Sequence, residues 1–320
     1  MPSTVGIDIG GSSVTAVVRD ESGEVVGRFD AQVSPDGGRQ VATSVIGAVR
    51  ALGADDCVGV GVGVPGQVDP DAGAVRMAVN LGIGPEPFDL ATAVEDEIGL
   101  PVVIENDVKV AALGANESLA RAAHFVQSVA VVSIGTGISA GVVVAGSIVR
   151  GASGMAGEIG HVVVDHSGPV CRCGQRGCLE AVAGGPAIAR AWPRGKEQEA
   201  ATALFAAVAA GDHAAATVAD RIVGHLATAL IWLAAAYDTE VVVLAGGVAS
   251  VGEPFLEVVK RHVAARGAVS ELAARRLRPE QVLLASPVDP PGPRGAAILA
   301  VGHSLQERVS PAGKKASNNP

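Results

Sequence analysis

The 320-residue chain is poor in cysteine, in aromatic side chains and in positive charge, and each shortage removes a class of function. Four cysteines are too few for a disulfide scaffold and suit a reducing compartment, so a cytoplasmic protein is expected. Aromatic residues make up 2% of the chain, which leaves no platform for stacked bases. Lys and Arg number 24 against 33 Asp and Glu, and a formal net charge of −9 argues against a nucleic-acid partner. No uninterrupted apolar run approaches the roughly 18 residues of a membrane span, so no membrane partner is expected. No basic segment precedes an apolar one at the N-terminus, so no secretory leader is expected either. The Gly-x4-Gly-Lys-Ser/Thr frame is missing, so a phosphate site has to be built on Gly-rich hairpins.

Apolar side chains are plentiful instead, at 48%, which excludes disorder for the bulk of the chain. The length suits two lobes of roughly 150 residues each. Val5–Ile9 and Val14–Val18 read as strands joined by a Gly10-Gly11-Ser12-Ser13 turn, with a third strand from Glu24 to Val33. Val41, Val45, Ile46, Val49 and Leu52 repeat at helical spacing. Val58–Val64 is a buried strand, Phe88–Ile98 has helical periodicity, Pro101–Glu105 is a strand, and Asn106–Leu119 is a helix. The pattern then restarts: Val129–Ile134 runs through Gly135-Thr136-Gly137 into Ile138–Ala145. A long apolar helix (Ala214–Tyr237), a strand (Glu240–Leu244) ending in Gly246-Gly247, and a helix from Pro254 follow. The last strand is Gln281–Ala285 and the last helix Gly295–Leu305. A duplicated strand–turn–strand start suggests two related α/β lobes facing a cleft. The expected division is 1–120 and 121–305, with the last helix packing back on the first lobe and 306–320 a disordered tail.

Gly61-Val-Gly-Val-Pro-Gly66 matches the dinucleotide-binding pattern, but Pro65 and Pro70 forbid the helix that would hold a pyrophosphate. A more specific constellation lies further on. His161, Cys171, Cys173 and Cys178 form H-x9-C-x-C-x4-C, with Gly174 and Gly177 bending the chain between thiolates. Four N/S ligands in one short loop suit tetrahedral Zn²⁺, and a filled ligand set implies a structural ion. His166 is a rival fourth ligand. Glu158 and Glu180 bracket the loop; the small and apolar neighbours of Glu158 suggest a poorly solvated carboxylate. Glu105-Asn106-Asp107 sits where a strand ends and a helix begins, a position for either a helix cap or a catalytic base.

Together these pieces resemble the ROK family of repressors, uncharacterised reading frames and sugar kinases, in particular its glucokinase branch, over nearly the whole chain. Asp8-Ile-Gly-Gly-Ser-Ser13 is similar to the first phosphate loop and Ser133-Ile-Gly-Thr-Gly137 to the second. Val64-Pro-Gly66 and Asn80-Leu-Gly82 resemble the sugar-side loops, and Leu244-Ala-Gly-Gly247 the adenosine-side loop. Gly157-Glu-Ile-Gly-His161 followed by the cysteine run to Glu180 is the most specific element. The resemblance implies an actin-like ATPase fold, with two RNase-H-like lobes around a cleft and a homodimer or homotetramer. It implies ATP-dependent phosphorylation of a hexose 6-hydroxyl, glucose first. The alternatives are a kinase for an aminoglucose or N-acetylhexosamine, and a non-catalytic sugar-sensing regulator. About four residues precede the first strand, which leaves no room for a regulator's helix-turn-helix.

By the same resemblance Asp107 is the catalytic base, and Gly66, Asn80, Asn106, Glu158, His161 and Glu180 bind the sugar. Asp8 holds Mg²⁺, and Gly10, Gly11, Ser12, Gly135, Thr136, Gly137, Gly246 and Gly247 bind ATP. His161, Cys171, Cys173 and Cys178 hold Zn²⁺. Two departures stand out: Ser13 replaces the family's longer polar residue, and Gly82-Ile83-Gly84 lacks its Trp.

Overall fold

The computed structural model describes residues 3–54, 56–122, 124–194 and 199–309. The chain divides into two compact units, one of residues up to Gly114 together with the chain from Pro290, the other Ala115–Asp289.

In unit 1, β1 (Thr4–Ile9), β2 (Ser13–Arg19) and β3 (Val25–Gln32) form an antiparallel meander. Helix α1 (Gly38–Ala51) then crosses to β4 (Val60–Val64), which pairs parallel to β1. Its apolar stripe of Val41, Val45, Ala48 and Val49 is buried, as the spacing predicts. Three short strands, β5 (Gln67–Asp69), β6 (Ala74–Arg76) and β7 (Phe88–Asp89), make a small separate sheet. The helix expected from Phe88 begins two residues later, as α2 (Leu90–Ile98). Asp89 caps it by accepting the N–H of Thr92, and Phe88 belongs to the strand instead. Strand β8 (Val102–Asn106) completes the main sheet in the order β3-β2-β1-β4-β8. Helix α3 (Asp107–Arg121) leaves it directly and carries the chain out of unit 1.

Unit 2 repeats this layout. Strands β9 (Ser128–Ile134), β10 (Ile138–Val144) and β11 (Ser147–Ile148) are again an antiparallel meander. A loop with one 3₁₀ turn (Ile159–His161) leads to the helices α4 (Leu179–Ala183), α5 (Gly185–Ala191), α6 (Ala200–Ala209) and α7 (His213–Tyr237). Strand β12 (Val241–Ala245) pairs parallel to β9 and leads into α8 (Gly246–Ala249), α9 (Glu253–Val269) and α10 (Glu271–Arg276). Strand β13 (Val282–Leu284) closes the order β11-β10-β9-β12-β13. By length and composition α7 could cross a membrane. Leu226, Leu230 and Leu233 are instead buried with Phe205 and Phe255 in the core of unit 2, which makes α7 a core helix.

Helix α11 (Pro291–Val309) returns to the first sheet and packs on β1 and β4. The approach is close enough that a Cβ on Gly61 would overlap the Ala296 carbonyl, and Thr4 Oγ1 donates to the Ala297 carbonyl at 3.0 Å. The expected tail begins inside this helix. Residues 306–309 are helical, and 310–320 lie outside the described residues.

Candidate active site

The register of unit 1 sets its chemistry. Asp8 on β1, Gly63 on β4 and Glu105 on β8 share one row of the sheet. A Cβ at Gly63 would lie 3.3 Å from Asp8 Oδ1 and 3.4 Å from Asp107 Cα, so the bare glycine makes room for two carboxylates at adjacent strand ends. Asp107 is the first residue of α3. Burial, and then the Asp107 charge, push the Asp8 carboxyl up to about 8, the behaviour of an acid placed to neutralise a cation.

Asn106 is the cap at this strand end. Its Oδ1 accepts the N–H groups of Val108 (3.2 Å) and Lys109 (3.3 Å), which is helix capping, and its Nδ2 donates to the Gly66 carbonyl at 3.3 Å. Both acceptor directions of this amide are used, and one N–H remains for a ligand. The capping role therefore falls to Asn106 and not to the Asp107 carboxylate. Asn80 stands in a 3₁₀ turn (Val79–Leu81) beside Gly11: a Cβ there would be 3.8 Å from Asn80 Nδ2.

The two glycine loops share one construction. Gly10 N–H closes its hairpin on the Ser13 carbonyl at 2.7 Å, and Gly135 N–H closes on the Gly137 carbonyl at 2.9 Å. Those two amides are spent within their own turns. What remains for an anion is Gly11 and Ser12 in one loop and Thr136 and Gly137 in the other. Gly185 N–H donates to the Gly135 carbonyl at 2.7 Å, and Gly246 (φ +86°) lies against Ile134, so Gly246 and the second glycine loop are neighbours in unit 2.

The zinc constellation assembles in the same unit. One ligand atom from each of His161, Cys171, Cys173 and Cys178 lies within 4.8 Å of every other. Cys173 and Cys178 sulfurs are 3.6 Å apart, and Cys171 Sγ is 3.7 Å from His161 Nδ1. A tetrahedron with Zn–S bonds of about 2.3 Å has edges of about 3.8 Å, so the donor set fits zinc in kind and size. Gly177 makes the knuckle possible: at φ +76° it abuts the Asp165 carbonyl, where any Cβ would collide. His166 is exposed and stands apart from the group. The nitrogen of His161 on the cluster side is Nδ1, which leaves Nε2 for another partner. Without a metal, burial drives the Cys171 thiol up to about 12, whereas the Gln175 N–H brings Cys173 down to about 6.

Glu180 links this cluster to the second glycine loop. Its Oε1 is 3.3 Å from Cys171 Sγ, and its Oε2 is 3.1 Å from where a Gly137 Cβ would stand. Glu158 differs from expectation and is exposed. Gly157 and Gly160 press the backbone flat on the Ala140 and Ile138 carbonyls, so the small neighbours pack through main chain and leave the side chain out. Sequence reasoning missed Gly63 and Gly292, which both abut the Asp8 carboxylate. A glycine in register with a strand-end acid was the available signal for the first. Gly292, remote in sequence, gave none.

The family model for the ROK family matches residues 4–303. The chain belongs to the ROK family. Among its relatives, a glucokinase of Halalkalibacterium halodurans is 35% identical over 81% of this chain and 84% of that protein. An N-acetylmannosamine kinase of Citrobacter koseri is 31% identical over 94% of this chain and 99% of that protein. A ROK family glucokinase from Streptomyces griseus, solved with glucose and AMPPNP, is 29% identical. It superposes with a TM-score of 0.74 over 94% of this chain and 99% of that chain. As a ROK protein, this chain has the actin-like ATPase fold.

Proposed function

We propose that this chain is an ATP-dependent sugar kinase acting on the 6-hydroxyl of a hexose, glucose first. One observation carries the reading: Asp107 stands beside Asp8 with its capping duty taken by Asn106, in a chain whose relatives include glucokinases along most of its length. Asp107 accepts the proton of the attacking hydroxyl as its oxygen bonds to the γ-phosphorus and the bond to the bridging oxygen of ADP breaks. Asp8 would hold Mg²⁺, which when bound neutralises phosphate charge. Phosphate oxygens fall to the N–H groups of Gly11, Ser12, Thr136 and Gly137 and to the hydroxyls of Ser12 and Thr136. Gly246 and Gly247 take the adenosine side.

The sugar hydroxyls fall to Gly66, Asn80, the remaining N–H of Asn106, Glu158, Glu180 and Nε2 of His161. His161, Cys171, Cys173 and Cys178 would hold Zn²⁺, which fixes Glu180 and His161 and takes no part in the transfer. The two compact units are the two kinase lobes. The protein is placed in the cytoplasm, where ATP and reduced thiols occur together, as a homodimer or homotetramer on the strength of the family alone.

A second reading is an amino-sugar kinase, which the N-acetylmannosamine kinase relative favours. The experiment is one coupled assay with ATP and with polyphosphate on glucose, glucosamine, a 3-aminoglucose, N-acetylmannosamine, mannose and galactose. ATP with glucose is expected to give the highest kcat/KM. The amino-sugar reading wins if either amine or the N-acetyl sugar exceeds glucose, and the kinase reading fails if no sugar is phosphorylated by zinc-loaded protein.

A further inference from the structure

Unit 2 carries a cavity of about 310 Å³. Its lining combines Arg190 of α5, Arg221 and His225 of α7, and Asp165 with Pro169 of the zinc loop. Ala181 of α4, the residue after Glu180, completes one wall.

Its charges are unusual for a structural groove. Among the described residues neither guanidinium has a carboxylate partner: Arg190 donates only to the Ala181 carbonyl, at 2.8 Å, and Arg221 has no hydrogen bond or ion pair. Arg221 and His225 are one helical turn apart, so both present to the same opening. Two guanidiniums and an imidazole aimed into one pocket have five or more donors to satisfy, and a phosphate monoester offers the matching dianion with three acceptor oxygens. Asp165 is the one carboxylate in the lining. Its Oδ1 accepts the Ser167 N–H at 2.9 Å, and the carboxylate keeps capacity for further donors. A bare anion gains nothing from that carboxylate, whereas the hydroxyls of a phosphorylated polyol would donate to it. The volume holds such a molecule, and Pro169, Val182, Ala191 and Ile222 give it apolar walls.

We propose that this cavity is a regulatory site for a small hydroxylated phosphate monoester, of the chemical class of a hexose phosphate. Its position gives it a route to the active-site residues. The walls made by Asp165 and Pro169 and by Ala181 are the two ends of the segment that carries Cys171, Cys178 and Glu180. A dianion drawn onto Arg190 and Arg221 ties α5 and α7 together across that segment and acts on Glu180 through the Arg190–Ala181 hydrogen bond. The site stands on the geometry of unit 2 and does not depend on the kinase reading.

The test is an NMR titration of zinc-loaded protein that follows the imidazole resonances of His225, assigned by their loss in His225→Gln. Hexose 6-phosphate is expected to shift them saturably, unphosphorylated hexose to leave them in place, and inorganic phosphate to bind at least tenfold more weakly. Arg221→Ala, an exposed side chain without partners, is expected to fold normally and to weaken the ester at least tenfold while leaving the KM for the sugar unchanged in the absence of ester. No saturable shift below 10 mM ester overturns the site, as does an unchanged affinity in Arg221→Ala. Equal affinity for inorganic phosphate overturns the ester assignment. Product binding at the active site is separated by Asn80→Ala, which removes a residue assigned to the sugar and is expected to leave the His225 titration unaltered.

Discussion

Replacing Asp107 by Asn tests the division of labour at the strand end. The amide has the size of the carboxylate and stays at the first position of α3, so only charge and basicity change. A base of this kind supplies about 10²–10⁴ in rate, or about 2.7–5.4 kcal/mol of barrier at 1.36 kcal/mol per tenfold. Two stability terms oppose each other. A carboxylate in the first turn of a helix is worth about 0.3–1 kcal/mol, which the variant loses. Against this, Asp107 acts on Asp8 through its charge, and like charges within the general reach of about 4–6 Å repel by about 3–4 kcal/mol at an effective dielectric of about 20. That figure is a ceiling, because the Asp8 carboxyl, pushed up to about 8, holds its proton at neutral pH in the metal-free protein. The capping bonds to Val108 and Lys109 come from Asn106 and are untouched. The variant should therefore lose at least a hundredfold in kcat, keep its sugar affinity within a few-fold, and melt no lower than the parent by more than a degree or two. Coupled ADP release, titration calorimetry with the sugar, and thermal melting read the three quantities. A kcat within tenfold of the parent refutes Asp107 as the base. A large fall in melting temperature refutes the assignment of capping to its neighbour.

Cys178→Ser removes a buried thiolate of the zinc set and should lower zinc content from near one to well under one per chain, with a raised sugar KM, both read on the same preparation by metal analysis and kinetics. Asn106→Ala loses the α3 cap and should cost about 1 kcal/mol, whereas Asn106→Asp keeps the capping oxygens and should recover most of it. Neither should recover activity, because both lose the Nδ2 donor that holds Gly66; equal melting of the two variants refutes the cap. Asp220 on α7 is pushed up by burial, but the hydrogen bonds from His262 (3.0 Å) and Arg261 (2.6 Å) outweigh this and hold it below the usual carboxylate range. A depressed acid stabilises above its unfolded pKa and loses that contribution as pH falls through its folded value. Asp220→Asn should thus melt lower at neutral pH, by no more than about 1 kcal/mol given the partly exposed site, with the gap closing in the acid range. A gap that is unchanged at pH 3 counts against the network.

The main sheets were legible because their strands are long and apolar. Val5–Ile9, Val58–Val64 and Val129–Ile134 are Val- and Ile-rich with mostly small residues between, and parallel strands covered on both faces leave that signature. Strands β5, β6 and β7, of two or three residues, were not legible, since no period can be counted over such lengths. The zinc set could be read because all four ligands lie within 18 residues, and local spacing limits geometry. The exposure of Glu158 could not, because small neighbours signal equally a buried side chain and a backbone pressed on a sheet. Gly292 and Asp8 are adjacent only through the return of α11, a tertiary event with no local trace.

The internal repeat explains why the two glycine loops have different neighbours. Each follows the first strand of a meander, and each spends its first N–H on closing its own hairpin. In unit 1 the residue before the last of that strand is Asp8, beside Gly63 of β4; in unit 2 it is Ser133, beside Ala245 of β12. A carboxylate at both positions would place a negative charge beside each glycine loop. With Asp at one and Ser at the other, only the first strand brings an acid of its own to its loop, and the backbone dipoles of the second loop are not opposed from that strand. The nearest acid to that second loop is Glu180, and it is drawn toward the cysteine cluster: its Oε1 lies 3.3 Å from Cys171. Zinc held there by three thiolates and one imidazole would carry no net positive charge, so its effect on Glu180 would be geometric: it would fix the loop that carries Cys171 and Cys178, and with it the start of α4 from which Glu180 projects. On this account the metal's service is to position Glu180, which lies between the cysteine cluster and Gly137, and loss of the metal should weaken sugar and nucleotide binding together.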